Sequence, residues 1–292
     1  MIVFTLRLAD SSLADRVEGF LYENPELPWS VTAFPQGTAH LHGYFPDEST
    51  GQNLLQEIRK EISELPEPEI KAIADEDWKQ SYRFHLQIRR FGKLVWVPIW
   101  ERMGFEAEPE EAVVYLDSGM AFGTGSHETT RYCARQLVAY AEKHGSESRR
   151  VIDAGSGSGI LALSAVRLGF PEVYAFDNDP EAVAVSRENA AMNDVTDRVS
   201  LETAGVTEGL TGRKAEVVLA NIETYVLRDH VLDLLGAVVP GGWLIMSGVL
   251  AKDRLDLERH FMRAARMQWP EGASLEADED GEWAGITVIR ER

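Results

Sequence analysis

The apolar positions of the first 75 residues follow two alternating periods. Apolar residues at every second position over 2–8 predict a β-strand with one buried face. Helical spacing over 13–21, with Ser12 and Asp15 as a capping pair, predicts an amphipathic helix. Four further elements follow by the same criteria: strands over 29–34 and 39–45, a helix over 54–65 and a strand over 70–74. This order predicts a small α+β domain of the ferredoxin-like kind at residues 1–75.

The pattern loosens over residues 76–110, which we interpret as a structured linker. Its second part contains basic and aromatic side chains: Arg83, Arg89, Arg90, Trp96 and Trp100. Such a set could line a nucleic-acid surface, but tryptophan and valine alternate here, and that alternation is more typical of packing. We therefore expect these aromatic residues to pack inside the protein.

From residue 111 onward, short apolar runs alternate with helical patterns. The runs typical of strands are 151–154, 172–177, 217–223, 240–247 and 283–289. Strands that alternate with helices predict a doubly wound α/β sheet, whose ligands bind at the carboxyl ends of the strands. We therefore assign residues 111–292 to one ligand-binding domain.

A glycine-rich turn follows the first of these strands. Gly155, Gly157 and Gly159 alternate with small residues, so the chain can turn tightly and a ligand can lie against main-chain N–H groups. A dinucleotide fingerprint would need glycine where this chain has Ile160, and Asp153 would repel a phosphate. A carboxylate instead stabilises the cationic amino and sulfonium groups of S-adenosylmethionine. The turn therefore predicts S-adenosylmethionine as cofactor, with Asp153 beside it.

The second run ends at Asp177, 22 residues after Gly155. At that spacing an acidic residue at the end of the second strand accepts hydrogen bonds from ribose hydroxyls. Asp177 and Asp179, which precede Pro180, could instead cap the next helix. Together with the glycine turn, the ribose role is favoured for Asp177.

A second glycine-rich segment covers residues 116–130. Its centre, which includes Phe122 and Gly123, is too apolar for a solvated loop, so we expect it to fold over the ligand. Thr129 and Thr130 fall in the first turn of the next helix, where N–H groups and hydroxyls can hold the methionine carboxylate. A plain helix cap is the alternative.

The third run ends at Asn221, Ile222 and Glu223, at the sheet edge where ligands bind. The Asn221 carbonyl can accept a hydrogen bond from an incoming amine and aim the amine lone pair at a methyl group. Glu223 could attract an ammonium group and accept its proton, or it could only complement the dipole of the following helix. Asn221 and Glu223 are therefore the candidate catalytic residues.

Composition bears on partner and compartment. The 48 acidic and 29 basic residues give a formal net charge of −19, which suits a basic protein partner and opposes stable nucleic-acid binding, although solubility alone could explain it. A single cysteine, Cys133, excludes an internal disulfide, and we expect it in the core. The chain shows no export leader or membrane-spanning pattern, so we expect a cytoplasmic protein. The histidines, apart from His40 and His42 on a strand, give no reason to assign a metal.

Together these motifs resemble those of the ribosomal protein L11 methyltransferase family. The resemblance covers most of the chain and is most specific at residues 119–125 with His127, Thr129 and Thr130. It implies a small recognition domain, a linker, and a class I methyltransferase domain with a Rossmann-like, seven-stranded sheet. By motif position, it places contacts to S-adenosylmethionine at four residues: Thr130, Gly155, Asp177 and Asn221.

The chain departs from the family pattern at a few positions. The family usually has proline at Ser118, often cysteine at Ser156, and two small or aliphatic residues at Glu223 and Thr224. The first two changes look neutral for cofactor binding. Glu223 lies next to the expected acceptor site and therefore bears on the substrate.

The resemblance implies methyl transfer from S-adenosylmethionine, with S-adenosylhomocysteine as product, to lysine or N-terminal amino groups of ribosomal protein L11. Two other classes stay open: a methyltransferase for another protein lysine, an RNA or a small molecule, and a non-catalytic S-adenosylmethionine-binding module. The expected reaction is an in-line displacement by a neutral amine. Because a free lysine has a pKa of about 10.4, the amine must first lose its proton, and positioning in a dry site supplies most of the catalysis.

Overall fold

Two compact units make up the chain, Met1–Phe84 and His85–Arg292. The computed structural model of the protein describes residues 2–24, 27–33, 39–72, 87–117 and 127–292. The first unit contains the span predicted as the small domain. The second contains the predicted sheet domain together with residues 85–110 of the predicted linker.

The described part of the first unit is a four-stranded sheet with two helices. Its elements are β1 (Ile2–Leu8), α1 (Ser11–Glu23), β2 (Trp29–Ala33), β3 (Ala39–Phe45), α2 (Glu48–Glu61) and β4 (Glu69–Ala72). The sheet order is β2-β3-β1-β4, and each neighbouring pair is antiparallel. This is the ferredoxin-like arrangement that the sequence predicts.

Local chemistry fixes the helix starts of this unit. The Asp10 carboxylate accepts a hydrogen bond from the N–H of Leu13 at 2.9 Å and caps α1, so the predicted capping pair of Ser12 and Asp15 is wrong. Asp47 caps α2 in the same way, through the N–H of Thr50 at 2.8 Å. From Phe4 onward, the alternate apolar residues of β1 are buried in the core of this unit. The same core contains Leu55 and Ile58 of α2 and Ile62, which directly follows this helix.

The second unit alternates strands and helices along the chain. Its strands are β5 (Arg89–Phe91), β6 (Leu94–Pro98), β7 (Ala112–Leu116), β8 (Arg150–Ala154), β9 (Glu172–Asp177), β10 (Val199–Thr203), β11 (Ala215–Asn221), β12 (Val238–Leu250), β13 (Ala273–Asp280) and β14 (Trp283–Arg290). Its described α-helices are α3 (Glu128–His144), α4 (Ile160–Arg167), α5 (Pro180–Met192), α6 (Val206–Leu210), α7 (Thr224–Asp229), α8 (Val231–Ala237) and α9 (Arg254–Gln268).

Seven of these strands form one mixed sheet in the order β10-β9-β8-β11-β12-β14-β13. The strands from β10 to β12 are parallel, and β14 runs antiparallel to both β12 and β13. The predicted doubly wound, seven-stranded fold is therefore confirmed. The strand order reverses between β8 and β11, so the switch point of the sheet lies at the carboxyl ends of these two strands.

Part of the predicted linker belongs to the core of the second unit. β6 is buried along its whole length and pairs with β5 and β7 in a separate three-stranded sheet. The indole N–H of Trp96 donates a buried hydrogen bond to Oγ of Ser164 in α4, at 2.8 Å. Packing is thus the role of Trp96, as the strand alternation indicates. Cys133 of α3 lies in the same core and is fully buried.

Among the helices that the structure describes, none is both long enough and apolar enough to cross a membrane.

Candidate active site at the switch point of the sheet

The glycine turn between β8 and α4 adopts a backbone that other residues rarely tolerate. Gly155, Gly157 and Gly159 have φ of 72°, 52° and 80°. A Cβ added to Gly155 would lie 2.2 Å from Cγ2 of Ile222, the residue that follows β11. Glycine is therefore needed at position 155 for two reasons, its left-handed conformation and the close approach of the β11 end.

The amides of this turn are used inside the protein. The N–H groups of Gly155 and Ser156 both donate to the carbonyl oxygen of Phe176, at 2.9 and 3.0 Å. The N–H of Gly157 donates to Oδ2 of Asp177 at 2.8 Å. The interpretation that a ligand lies against the N–H groups of the turn therefore does not hold for these three amides. The turn offers close approach to its Cα atoms instead.

Asp177 ends β9 beside the turn. Its Oδ1 accepts a hydrogen bond from the N–H of Asp179 at 3.0 Å, whereas Asp179 itself caps α5 through the N–H of Glu181. The capping role considered for both acids thus belongs to Asp179. Each carboxylate oxygen can accept two hydrogen bonds, so Asp177 keeps acceptor capacity for two hydroxyl groups.

Asp153 is a buried carboxylate with one satisfied oxygen. Oδ2 accepts a hydrogen bond from the N–H of Ala162, in the first turn of α4, at 3.0 Å. Oδ1 is buried and has no hydrogen-bond partner among the described residues. Burial raises the pKa of Asp153 to about 7; the hydrogen bond from Ala162 opposes this shift and the charge of Asp177 adds to it. A cationic group placed beside Oδ1 would satisfy it, which fits the amino group of S-adenosylmethionine.

Thr130 and Asn221 connect the two sides of the site. Thr129 and Thr130 lie in the first turn of α3, as predicted, and each is 1% exposed. Nδ2 of Asn221 donates to Oγ1 of Thr130 at 3.2 Å. Oδ1 of Asn221 is buried, and no partner for it occurs in the part of the chain that the structure describes. The carboxamide is therefore held at one end and keeps an open acceptor at the other.

Glu223 follows two residues later and is exposed. It occupies the N-cap position of α7. The structure describes the whole first turn of this helix, and none of its N–H groups donates a capping hydrogen bond to the Glu223 carboxylate. The neighbouring Glu223 carboxylate raises the pKa of the Tyr225 hydroxyl. The two other site residues predicted from the sequence, Phe122 and Gly123, lie outside the described residues.

His127 has a role here that sequence reasoning missed. It is the N-cap of α3: Nδ1 accepts a hydrogen bond from the N–H of Thr129 at 3.4 Å and lies 2.7 Å from the Thr129 hydroxyl. Its ring stacks edge-on against Trp283, with 4.7 Å between centroids. Burial lowers the pKa of His127, which favours the neutral acceptor form; Glu128 opposes this shift and Arg131 adds to it. Histidine is not a preferred cap, so the local sequence gives no signal for it.

Gly248 is a second residue that sequence reasoning missed. It lies in β12 with φ of 83°, and a Cβ there would lie 2.4 Å from the carbonyl oxygen of Ile222. Asn221 and Ser247 are paired in the parallel register of β11 and β12. A lone glycine inside an apolar strand is the signal that could have indicated this close backbone approach.

Within the described ranges, no group of three or more histidine, cysteine and acidic side chains could hold a metal ion. The site instead combines a glycine turn after β8, an acidic residue at the end of β9 and an amide side chain at the end of β11. On a seven-stranded sheet with this order, these features define a Rossmann-like methyltransferase. The chain belongs to the ribosomal protein L11 methyltransferase (PrmA) family, whose sequence model matches residues 15–291. Its cofactor is S-adenosylmethionine.

Individual relatives agree with this assignment. A ribosomal protein L11 methyltransferase from Pelotomaculum thermopropionicum is 34% identical over 279 residues, which cover 92% of this chain and 86% of that protein. One from Pelobacter propionicus is 37% identical over 261 residues, 86% and 81% of the two chains. The crystal structure of a ribosomal protein L11 methylase from Lactobacillus delbrueckii subsp. bulgaricus is similar in fold. It has a TM-score of 0.57 at 24% identity, and the match covers 70% of this chain and all of that chain.

Proposed function

We propose that this protein transfers methyl groups from S-adenosylmethionine to amino groups of ribosomal protein L11, on lysine side chains, the N-terminal amine or both. The observation that carries the proposal is the state of the Asn221 carboxamide. Its nitrogen is bonded to Thr130, whereas Oδ1 of Asn221 lacks a partner among the described residues. A buried acceptor without a partner costs about 1–3 kcal/mol. An amine N–H at the carboxyl end of β11 would satisfy it.

We assign cofactor binding to residues around the switch point: Thr129, Thr130, Asp153, Gly155, Gly157, Asp177 and Asn221. When bound, S-adenosylmethionine supplies a methyl group activated by its sulfonium. Asp177 accepts hydrogen bonds from hydroxyls, and Oδ1 of Asp153 accepts from a cationic amino group. The Thr130 hydroxyl accepts from Asn221 and can donate its own proton to a carboxylate. Phe122 and Gly123 remain predicted cofactor contacts.

Asn221 and Glu223 have different roles where the acceptor amine binds. Oδ1 of Asn221 accepts a hydrogen bond from the amine and so orients the nitrogen lone pair. A lysine ammonium cannot attack, because its lone pair is protonated near neutral pH. Glu223, exposed at the sheet edge, accepts that proton before the amine engages Asn221.

We propose that the first unit recognises the protein substrate, with residues 1–75 as the recognition domain. Support comes from its own sheet and hydrophobic core, which contain none of the site residues. The net charge of −19 supports a basic protein partner over nucleic acid. Because the substrate is a ribosomal protein, we place the reaction in the cytoplasm.

Radiolabelled S-adenosylmethionine tests the function directly. The full chain is incubated with ribosomal protein L11, with L11 whose amines have been acetylated, with RNA and with a small-molecule extract. We expect label in untreated L11 alone, and mass spectrometry then identifies the modified amines. Label in RNA or small molecules would move the protein to those classes, and cofactor binding without transfer would make it a binding module. Glu223→Gln should shift the methylation profile to higher pH.

A further inference from the structure

The backbone that follows Asn221 is held in place by contacts with two glycines of the site. Ile222 fits between two glycines: its Cγ2 fills the space beside Gly155, and its carbonyl oxygen fills the space beside Gly248. The hydroxyl of Thr224 donates to the carbonyl oxygen of Gly248 at 3.4 Å. Side chains that project from this segment therefore start from a fixed position.

Glu223 and Tyr225 are the exposed side chains of this segment. Tyr225 is 64% exposed, so its ring contributes little to the core, whereas Leu227 in the same helix is fully buried. Glu223 is exposed and does not cap α7. Glu223 occupies the N-cap position of α7 and Tyr225 is the second residue of this helix, so only Thr224 separates them. A carboxylate and an aromatic ring thus stand together just after Asn221.

We propose that Glu223 and Tyr225 form a recognition site for the alkylammonium group of the acceptor lysine, with Tyr225 as the specificity-determining residue. This inference rests on the proposed function and deepens it, because it states what the site selects. The recognition site binds a cationic aliphatic amine in preference to a neutral acceptor.

The chemistry of the pair suits a cation. A carboxylate attracts an ammonium group by charge, and the face of an aromatic ring attracts it through its quadrupole. Glu223 and Tyr225 are separated by one residue on a backbone that Gly155 and Gly248 hold in place, so one cation can contact both. When an ammonium N–H bond breaks and its proton moves to the Glu223 carboxylate, the electron pair stays on nitrogen. The neutral amine then loses both attractions and is free to donate to Asn221.

The two charged residues of α7 do not oppose a cation. Arg228, the nearest basic residue along the chain, forms an ion pair with Asp256 at 2.7 Å. Asp229, also in α7, adds negative charge close to Tyr225. The charges close to Tyr225 therefore favour the approach of a lysine.

The test compares two synthetic peptides that differ at one side chain, lysine or norleucine, which lacks the ammonium group. Binding is measured by NMR titration against the full chain saturated with S-adenosylhomocysteine, so no turnover occurs. We expect a preference for the lysine peptide, reduced about threefold to fivefold in Tyr225→Ala and in Glu223→Gln. Tyr225→Phe, which keeps the ring, should lose less. Met267→Ala, which truncates an 81% exposed side chain at the end of α9, is the matched control.

In steady-state methylation of ribosomal protein L11, the Tyr225→Ala effect should fall on KM rather than kcat. A lysine preference equal to that of the parent in Tyr225→Ala overturns the inference, as does an equal loss in Met267→Ala. Failure of the parent to methylate L11 would instead refute the proposed function, because the peptide titration requires no methyl transfer. The two failures are therefore distinguishable.

Discussion

Nδ2 of Asn221 donates a hydrogen bond to Oγ1 of Thr130 at 3.2 Å, which ties the end of β11 to the first turn of α3. The two residues are 91 positions apart in the chain. Because the Thr130 hydroxyl accepts this bond, the nitrogen of the Asn221 carboxamide faces Thr130 and Oδ1 faces the other way. The acceptor side of the site is thus oriented by a residue assigned to the cofactor side.

Removing either partner should therefore lower methyl transfer. Thr130→Val keeps the side-chain shape but removes the acceptor, and we expect a roughly tenfold slower single turnover and about 1 kcal/mol lower stability. Asn221→Ala removes the acceptor carbonyl as well, and we expect a loss on the order of 100-fold. With saturating S-adenosylmethionine, which removes any effect of Thr130 on cofactor affinity, the double variant should be no slower than Asn221→Ala, since both changes then act through one carboxamide. Fully additive losses would contradict this coupling.

Gly248→Ala should displace Ile222 and, through it, Asn221. Its Cβ would lie 2.4 Å from the Ile222 carbonyl oxygen, so the backbone must shift. Gly212→Ala is the matched control, because Gly212 also has positive φ, 73°, but nothing lies within 4 Å of its added Cβ. Both variants should lose about 1 kcal/mol from backbone strain, and Gly248→Ala clearly more. Only Gly248→Ala should slow single-turnover methylation; equal rates in the two variants would show that the contact is unimportant.

Binding of S-adenosylmethionine should depend on pH through Asp153. Its pKa of about 7 means that the free protein holds this proton at pH 6. A cationic ligand group favours the carboxylate, so binding below pH 7 must release the proton, and affinity should rise by up to about tenfold per pH unit before it levels off above pH 8. Calorimetry in buffers of different ionisation heat measures the release. Asp153→Asn should show neither release nor slope; an unchanged slope would assign the titration elsewhere.

His127 should make the protein less stable in mild acid. Burial lowers its pKa in the folded state, so the unfolded state binds more protons near pH 6.5. Its contribution is therefore fully present above the unfolded pKa and is lost as pH falls through the lower, folded pKa. His127→Asn keeps a capping acceptor that does not titrate. Denaturant unfolding at pH 8 and pH 5 should show the parent losing more stability than this variant; equal losses would exclude His127 as the source.

Removal of the first 75 residues should separate cofactor binding from substrate recognition. A chain that begins at Glu76 retains every described site residue and should bind S-adenosylmethionine with parental affinity, measured by calorimetry. Because the proposed recognition domain is gone, methylation of intact ribosomal protein L11 should fall steeply. Full activity of the shortened chain on L11 would give the first unit a different role.

The local pattern of apolar residues and glycines was enough to predict secondary-structure elements of this protein. The alternation over residues 2–8 predicted β1 with its bounds, and the glycine turn predicted the junction of β8 and α4, because strand and helix periods are properties of neighbouring residues. The cap of α1 was misassigned by two positions, since Asp10 and Ser12 are both good caps and only the backbone course chooses between them.

Contacts between distant segments were decided only by the tertiary structure. The sequence placed Thr130 in the first turn of a helix and Asn221 at the sheet edge, but only the packing of the elements brought them to hydrogen-bonding distance. The same is true of Gly248 against Ile222, of Trp96 against Ser164, and of the turn amides that bond Phe176 instead of a ligand. Periodicity tells which face of an element is buried. What that face meets depends on how all the elements pack at once, and no local stretch of sequence contains that information.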